Sequence, residues 1–326
     1  GCFSVGTNQV DLKAAAQRGI PVFNAPFSNT RSVVELVISE IIALARRLGD
    51  RNTQMHHGVW RKSAIGSHEV RGRTLGIVGY GNIGAQISVL AEALGLSVMY
   101  YDVADKLPMG NAHRCDSLEE LLQSVDVVTV HVDGRADNTL LFGEQEFSMM
   151  RPRSLFLNLS RGHVVDVAAL ADNLRTGHLA GAAVDVYPSE PRSGDEPFVS
   201  ELQSLDNVIL TPHVGGSTQE AQIDIGRYVA GKLIDYSERA STSMSVNLPD
   251  ITTGATPGAR IGHLHLNMPG IMADLNRLVA DHGGNVTYQA LATRGELGYT
   301  VLDIDETDRE LLVDVTRLEG TIRARV

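Results

Sequence analysis

Short apolar runs at residues 74–78, 97–101, 125–132, 154–158, 180–185 and 208–211 alternate with helical segments such as 83–94, 118–123 and 168–175. Most of the runs carry β-branched residues, as strands do. Strands that alternate with helices predict a parallel sheet covered on both faces. The central part of the chain therefore reads as a doubly wound α/β domain.

The first run leads straight into Gly79-Tyr80-Gly81-Asn82-Ile83-Gly84. A glycine pattern of this kind is weak alone, but here it ends a strand and opens a helix. Gly79 permits the tight turn, Gly81 lets the backbone approach a pyrophosphate, and Gly84 lets helix and strand pack closely. The helix N-terminus then offers unpaired N–H groups to phosphate charge. The next strand ends at Asp102, 18 residues past Gly84, close to the spacing of about 20 for a ribose-binding carboxylate. A carboxylate there repels a 2′-phosphate, so the pattern predicts NAD rather than NADP in a Rossmann domain.

Three later motifs fall at strand ends, where ligands of open α/β sheets collect. They are Asn158-Leu159-Ser160-Arg161-Gly162, Asp185-Val186-Tyr187-Pro188-Ser189-Glu190-Pro191, and Thr211-Pro212-His213-Val214-Gly215-Gly216-Ser217. Interconverting a 2-hydroxy and a 2-oxo acid needs a cation to hold the carboxylate and polarise the carbonyl, which a forked guanidinium supplies. It needs a proton donor and acceptor near neutral pH, which histidine supplies. A carboxylate should orient that histidine and favour its protonated form. Arg161, His213 and Glu190 make up this set.

Residues 10–19 carry a short helical pattern, and 20–24 read as a strand. So few elements cannot bury their own apolar faces, which suggests that an original N-terminal portion is missing. Residues 32–46 are apolar around most of a helix, predicting burial on several sides or against a partner subunit. The stretch 247–260 is a linker by composition. Beyond it, 261–266, 271–281, 286–291, 299–304, 309–319 and 321–326 spell βαββαβ, a ferredoxin-like domain. Alternation there places Leu264 and Leu266 on one face, and His263, His265 and Asn267 on the other.

The formal net charge is −11 with no basic run, which argues against a nucleic-acid role. The longest apolar candidate, 33–45, is broken by Glu35, Ser39 and Glu40 and cannot span a bilayer. Cys2 and Cys115 give neither a disulfide framework nor a metal-site spacing, and a reducing cytoplasm fits them.

These motifs resemble the D-isomer-specific 2-hydroxyacid dehydrogenase family over nearly the whole chain. Val5-Gly6-Thr7-Asn8-Gln9-Val10-Asp11, Asn24-Ala25-Pro26-Phe27-Ser28-Asn29-Thr30, 213–218 and the closing Gly320-Thr321-Ile322-Arg323-Ala324-Arg325 resemble the branch acting on 3-phosphoglycerate. The resemblance implies Arg161 as substrate-binding cation, Glu190 as orienter and His213 as proton donor and acceptor. It implies NAD contacts at Asn82, Ile83, Asp102, Leu159, Ser160, Asp185, Gly215 and Gly216. It also implies a Rossmann domain (29–215) inserted in a partial flavodoxin-like substrate domain (1–28 and 216–250). The implied reaction is oxidation of 3-phospho-D-glycerate toward L-serine, with Lys62, near Trp60, as candidate cation for the substrate phosphate. In relatives that region reaches into the neighbouring subunit's cleft, and a homotetramer is the implied assembly.

Residues 258–326 resemble an ACT domain, the amino-acid-sensing module, with L-serine as the implied effector. Carried over by position, His265, Asn267 and Asn285 hold it. Two local departures stand out: Asp133-Gly134 where relatives usually have proline, and Pro257-Gly258 where some have a glycine pair. The resemblance implies a substrate domain that begins before this chain, whose earlier part would supply a carboxylate-binding loop and an arginine for the phosphate. Alternative readings are a glyoxylate or hydroxypyruvate reductase, against which the sensing domain argues, and a non-catalytic NAD-sensing corepressor of the same fold.

Overall fold

The computed structural model describes residues 1–7, 9–191, 193–305 and 309–325. Asn8 of the N-terminal motif and Val326 of the closing strand lie outside the described residues. Asn29–Ala221 form one compact unit, and Gly1–Ser28 with Gln222–Val326 form another.

In chain order, α1 (Leu12–Gln17) precedes α2 (Thr30–Arg46) and α3 (Leu48–His56). Asp11 caps α1 by accepting the Ala14 N–H at 2.9 Å. The strand expected at 20–24 is instead a single bridge, Phe23 to Ser245. Pro21 has no N–H to give, and that of Val22 is taken by the Asn247 side chain at 2.8 Å.

The larger unit continues with β1 (Thr74–Val78), α4 (Asn82–Ala93), β2 (Ser97–Tyr101), β3 (His113–Arg114), α5 (Leu118–Ser124) and β4 (Val127–Val130). Then come α6 (Glu144–Met149), β5 (Ser154–Asn158), α7 (Val167–Arg175), β6 (Leu179–Val184) and β7 (Val208–Leu210). Seven strands pair in the order β3-β2-β1-β4-β5-β6-β7, all parallel. The order reverses between β1 and β4, which opens a crevice at their C-terminal ends. Both faces are covered, as expected. Leu121, Phe147 and Leu170 pack on one side with Phe156. On the other, Val37 and Ile41 of α2 pack with Ile87 of α4 and Ile77. Helix α2 is thus buried along much of its surface, although Ile42 remains exposed. The sequence reading did not include β3, α3, α6 or the later helix at Gln219–Arg239: two residues leave no period, and α6, six residues long, makes fewer than two turns.

Helix α8 (Gln219–Arg239) follows. The smaller unit then runs β8 (Ala259–Leu266), α9 (Ile271–Asp281), β9 (Val286–Arg294), β10 (Leu297–Ile304), α10 (Arg309–Arg317) and β11 (Thr321–Arg325). Its antiparallel sheet has the order β11-β8-β10-β9, the ferredoxin-like arrangement. Ile261, Leu302 and Ile304 face the helices through Leu275, Val279 and Leu311. Leu264, Tyr299 and Val301 face Ala240, Leu248 and Ile251 on the reverse.

The sheet face bearing His263 and His265 is not an open polar face. Both rings are buried, at 0% and 1% exposure, whereas Leu266 is 47% exposed. Alternation is kept, but both faces of β8 are covered, so period alone could not say which was wet. The compositional linker is also held. Arg260 forms a buried two-pronged pair with Asp303 at 2.6 and 2.7 Å and donates to the Arg239 and Gly254 carbonyls.

Candidate functional site

All seven strands of the larger unit are parallel, so their C-terminal ends share one edge. There the chain turns at Gly79 with φ +92°, a left-handed conformation that favours glycine. A side chain at Gly79 would meet the His131 carbonyl at 2.7 Å, and one at Gly84 would meet the Gly79 oxygen at 2.5 Å. A side chain at Gly81 would meet nothing within 4 Å. The first and third glycines are therefore required by packing, and the second faces open space. Asn82 and Ile83 open α4, whose N-terminus carries no side-chain cap. Its free N–H groups, the clear approach over Gly81 and Asp102 beyond it fit a dinucleotide's pyrophosphate and ribose. Asp102 Oδ2 accepts the Tyr80 N–H at 2.8 Å and Oδ1 that of Ala104 at 2.8 Å, which orients the carboxylate beside the glycine turn.

The end of β5 carries Asn158, Leu159 and Ser160, all buried, then half-buried Arg161. Asn158 braces this corner: its Oδ1 accepts from Ser160, and its amide donates to the Arg161 carbonyl at 3.1 Å. Arg161 donates to the Ser160 carbonyl at 2.6 Å and lies along Gly134, where a side chain would meet its Nε at 3.6 Å. Gly162 touches the Tyr187 carbonyl so closely that no Cβ fits. That contact draws the β5 and β6 corners together. In the turn that departs from the family pattern, Asp133 binds the Arg135 guanidinium at 2.7 and 2.6 Å. This pairing holds the Asp133 carboxyl below the usual carboxylate range.

At the end of β6, Asp185 is buried and organises the next corner. Its Oδ1 accepts from the Thr211 hydroxyl at 2.6 Å and the Val214 N–H at 2.8 Å, and its Oδ2 from the Gly215 N–H at 2.8 Å. Gly216 sits against the Asn29 side chain. Between these anchors His213 adopts a left-handed backbone, φ +54°. Its Nδ1 lies 2.8 Å from Glu190 Oε2, while Glu190 Oε1 accepts the Tyr187 N–H at 3.0 Å. Nδ1 is thus engaged and Nε2 left to meet a substrate. A cavity of about 540 Å³ lined by Tyr187, Glu190, Phe198, Leu210 and His213 adjoins the pair. Arg161 is not in its wall, so this cavity brings together Glu190 and His213 but not Arg161.

Two residues with unusual environments escaped the sequence reading. His131, at the end of β4, bonds Thr129 through Nε2 at 2.8 Å, and its Nδ1 is buried with no partner. Burial pushes its pKa down to about 3, so it stays neutral. Its position at a strand's C-terminal end was the signal available. Glu40, in α2, is 3% exposed with neither carboxylate oxygen partnered. Burial first, then the Asp185 charge, raises its pKa to about 8. The signal there was a carboxylate inside a helix apolar over most of its surface, although Glu35 of the same helix is exposed and paired with Arg31.

Lys62 and Trp60 lie exposed beyond α3, and no hydrogen bond or ion pair joins Lys62 to Arg161, Glu190 or His213. In the smaller unit, both ring nitrogens of His265 are engaged, Nδ1 with the Leu266 carbonyl at 2.8 Å and Nε2 with Thr300 at 3.0 Å. Its ring crosses Gly298, where a Cβ would strike it. Asn267 and Asn285 are exposed. The Asn267 amide donates to the Gly295 carbonyl at 3.3 Å, and the Asn285 backbone to Asp305 at 2.8 Å.

Comparison with known proteins matches residues 38–215 to the D-isomer specific 2-hydroxyacid dehydrogenase, NAD binding domain, and residues 261–323 to an AHAS small subunit-like ACT domain. The chain is 51% identical to a D-3-phosphoglycerate dehydrogenase of Escherichia coli strain K12, across 100% of this chain and 80% of that protein. It is 48% identical to one from Dictyostelium discoideum, with the same coverage. Among solved structures, a D-2-hydroxyisocaproate dehydrogenase superposes with a TM-score of 0.71 at 28% identity, over 75% of this chain and 77% of that one. An NAD-dependent formate dehydrogenase from Staphylococcus aureus, in complex with NAD, gives 0.66 at 28%, over 77% and 75%.

Proposed function

Because the chain belongs to the D-isomer specific 2-hydroxyacid dehydrogenase family, we propose that it oxidises 3-phospho-D-glycerate to 3-phosphohydroxypyruvate with NAD, in L-serine biosynthesis. The observation that carries the reading is the Glu190–His213 pair at 2.8 Å, standing with Arg161 and the glycine turn along one sheet edge. The names of the similar E. coli and D. discoideum proteins support the phosphorylated substrate.

Arg161 holds the substrate carboxylate by charge-assisted hydrogen bonds and fixes the C2 hydroxyl toward His213. His213 Nε2 takes the hydroxyl proton as C2 is oxidised. Glu190 holds the imidazole in the tautomer with Nδ1 protonated and stabilises the imidazolium that results. NAD, when bound, supplies the acceptor for the hydride on C2. Asp185 fixes the His213 loop through its three accepted hydrogen bonds. Lys62 is the candidate cation for the substrate phosphate, and the exposed Trp60 beside it suits a segment covered by a second subunit, in keeping with a homotetramer. Asn267 and Asn285 offer polar groups to L-serine at the surface, with His265 beneath. The functional division is then NAD binding by 29–215, substrate domain in 1–28 and 216–250, and sensing by 258–326. Among the described residues no helix is long and apolar enough to cross a membrane, and cytoplasmic operation is part of the proposal.

The test is NADH oxidation followed by absorbance, offering 3-phosphohydroxypyruvate against glyoxylate and 2-oxoglutarate, each with and without L-serine. Preference for the phosphorylated substrate and loss of rate in serine support the reading. Preference for glyoxylate overturns the substrate, and NADH binding with no turnover of any substrate overturns the enzyme reading.

A further inference from the structure

The opposite edge of the parallel sheet carries a group of cations that the catalytic site does not use. Arg73 immediately precedes β1 and Arg153 immediately precedes β5, so both lie at the strands' N-terminal ends. Arg47 stands at the junction of α2 and α3. With His68, these side chains line a cavity of about 330 Å³ whose wall contains no acidic residue. Leucines of α2, β5 and α7 line much of the rest, which lowers the local dielectric and strengthens any charge interaction. In a chain of net charge −11, this is a local reversal of sign.

The backbone leaves room in front of the cations. Gly66 and Gly177, both with positive φ, form part of the wall. A side chain at Gly66 would meet Arg47 Nη1 at 3.4 Å, and one at Gly177 would meet Arg153 Nη1 at 3.8 Å. Arg47 is partly neutralised by Asp50, at 2.8 and 2.5 Å. Arg73 spends only its Nε, on the Glu69 carbonyl at 3.0 Å. Among the described residues, neither Arg73 nor Arg153 forms an ion pair. Arg153 moreover holds φ +68°, a conformation that any residue with a Cβ adopts at a cost.

We propose that this cavity is a second anion site, separate from the catalytic edge, that binds a phosphate group, free or as a monoester. Arg73 and Arg153 present unspent N–H donors to its oxygens, a geometry guanidinium groups match better than ammonium groups do. The site is independent of the proposed reaction, because it shares no residue with it.

Isothermal titration of the whole protein with inorganic phosphate tests this. NADH is kept saturating to fill the nucleotide cradle, and ionic strength is held constant with chloride. A parallel titration with glycerol 2-phosphate distinguishes free phosphate from a monoester. Arg153→Gly relieves the left-handed strain, so the variant folds with a melting temperature at or above that of the parent. Phosphate affinity falls about tenfold in Arg153→Gly and in Arg73→Gln, the loss of one charge-assisted pair each, and is unchanged in Lys62→Gln. Equal affinity in parent, Arg153→Gly and Arg73→Gln overturns the site. So does a phosphate response that chloride reproduces, or one lost in Lys62→Gln. Unchanged phosphate affinity with altered self-association in Arg153→Gly would make the cluster a subunit contact instead.

Discussion

Glu190 divides its carboxylate between two groups: Oε2 lies 2.8 Å from His213 Nδ1, and Oε1 accepts the Tyr187 N–H at 3.0 Å. The histidine is thereby tied to the β6 corner as well as oriented. Glu190→Gln keeps the shape and removes the charge that stabilises an imidazolium. The expected result is a fall in kcat of about 100-fold or more with NADH affinity unchanged. Steady-state rates beside fluorescence titration of NADH check it, and a matched loss of NADH affinity would contradict it.

Asp102 braces the glycine turn through the Tyr80 N–H, so under the proposed NAD reading its replacement should act on cofactor binding rather than on chemistry. Asp102→Ala raises the KM for NAD by about tenfold, the cost of lost charge-assisted hydrogen bonds, and narrows the preference over NADP. Initial rates with both cofactors measure the two effects.

Gly162 has no room for a methyl group, because the Tyr187 carbonyl and Pro188 nitrogen occupy the space. Both obstacles are backbone, so the two corners must separate. Gly162→Ala is expected to destabilise the protein by about 3 kcal/mol and to lower activity further by moving Arg161 away from the Glu190–His213 pair. Urea unfolding and kcat/KM together test this, and an unchanged midpoint would refute it.

Glu40 carries a proton at neutral pH, since its pKa is raised from 4.5 to about 8. The folded state binds this proton more tightly than the unfolded chain does. Glu40's contribution is therefore fully present below pH 4.5 and is lost as pH rises toward 8, by on the order of 5 kcal/mol. Glu40→Gln mimics the protonated form. The stability difference between parent and variant should fall across that window and level off above it, read by urea unfolding at a series of pH values.

His263 behaves in the opposite sense. Burial, with His265 beside it, lowers its pKa from 6.5 to about 4. The stability it contributes is present above pH 6.5 and is lost as pH falls toward 4, by about 3 kcal/mol. His263→Gln, which keeps a partner for the Thr321 hydroxyl, should flatten acid unfolding of the smaller unit. Circular dichroism across pH 4 to 7 provides the check.

The sheet, the glycine turn and Asp102 were legible in the sequence because each is a local pattern: a short apolar run, then a spacing along the chain. That Arg161, Glu190 and His213 stand after strands of one sheet was legible for a related reason, since parallel strands must end along one edge. Glu40 and His131 were not. A carboxylate in an apolar helix and a histidine after a strand carry no mark of whether water reaches them, and burial depends on elements far away in the chain.

Sequence by itself determined most of the strands and helices of the parallel sheet and of the smaller antiparallel sheet, and which way the parallel strands run. Period and turn chemistry act over a few residues, so they survive in a linear text. Tertiary structure decided how the strand ends meet. It placed the Gly162 backbone against Tyr187, gave Asp185 its three donors, and turned His265 under a helix layer rather than toward solvent. It also gathered Arg47, Arg73 and Arg153 around one cavity from separate loops. Contacts of this kind join residues tens of positions apart, and packing, unlike periodicity, leaves no local trace.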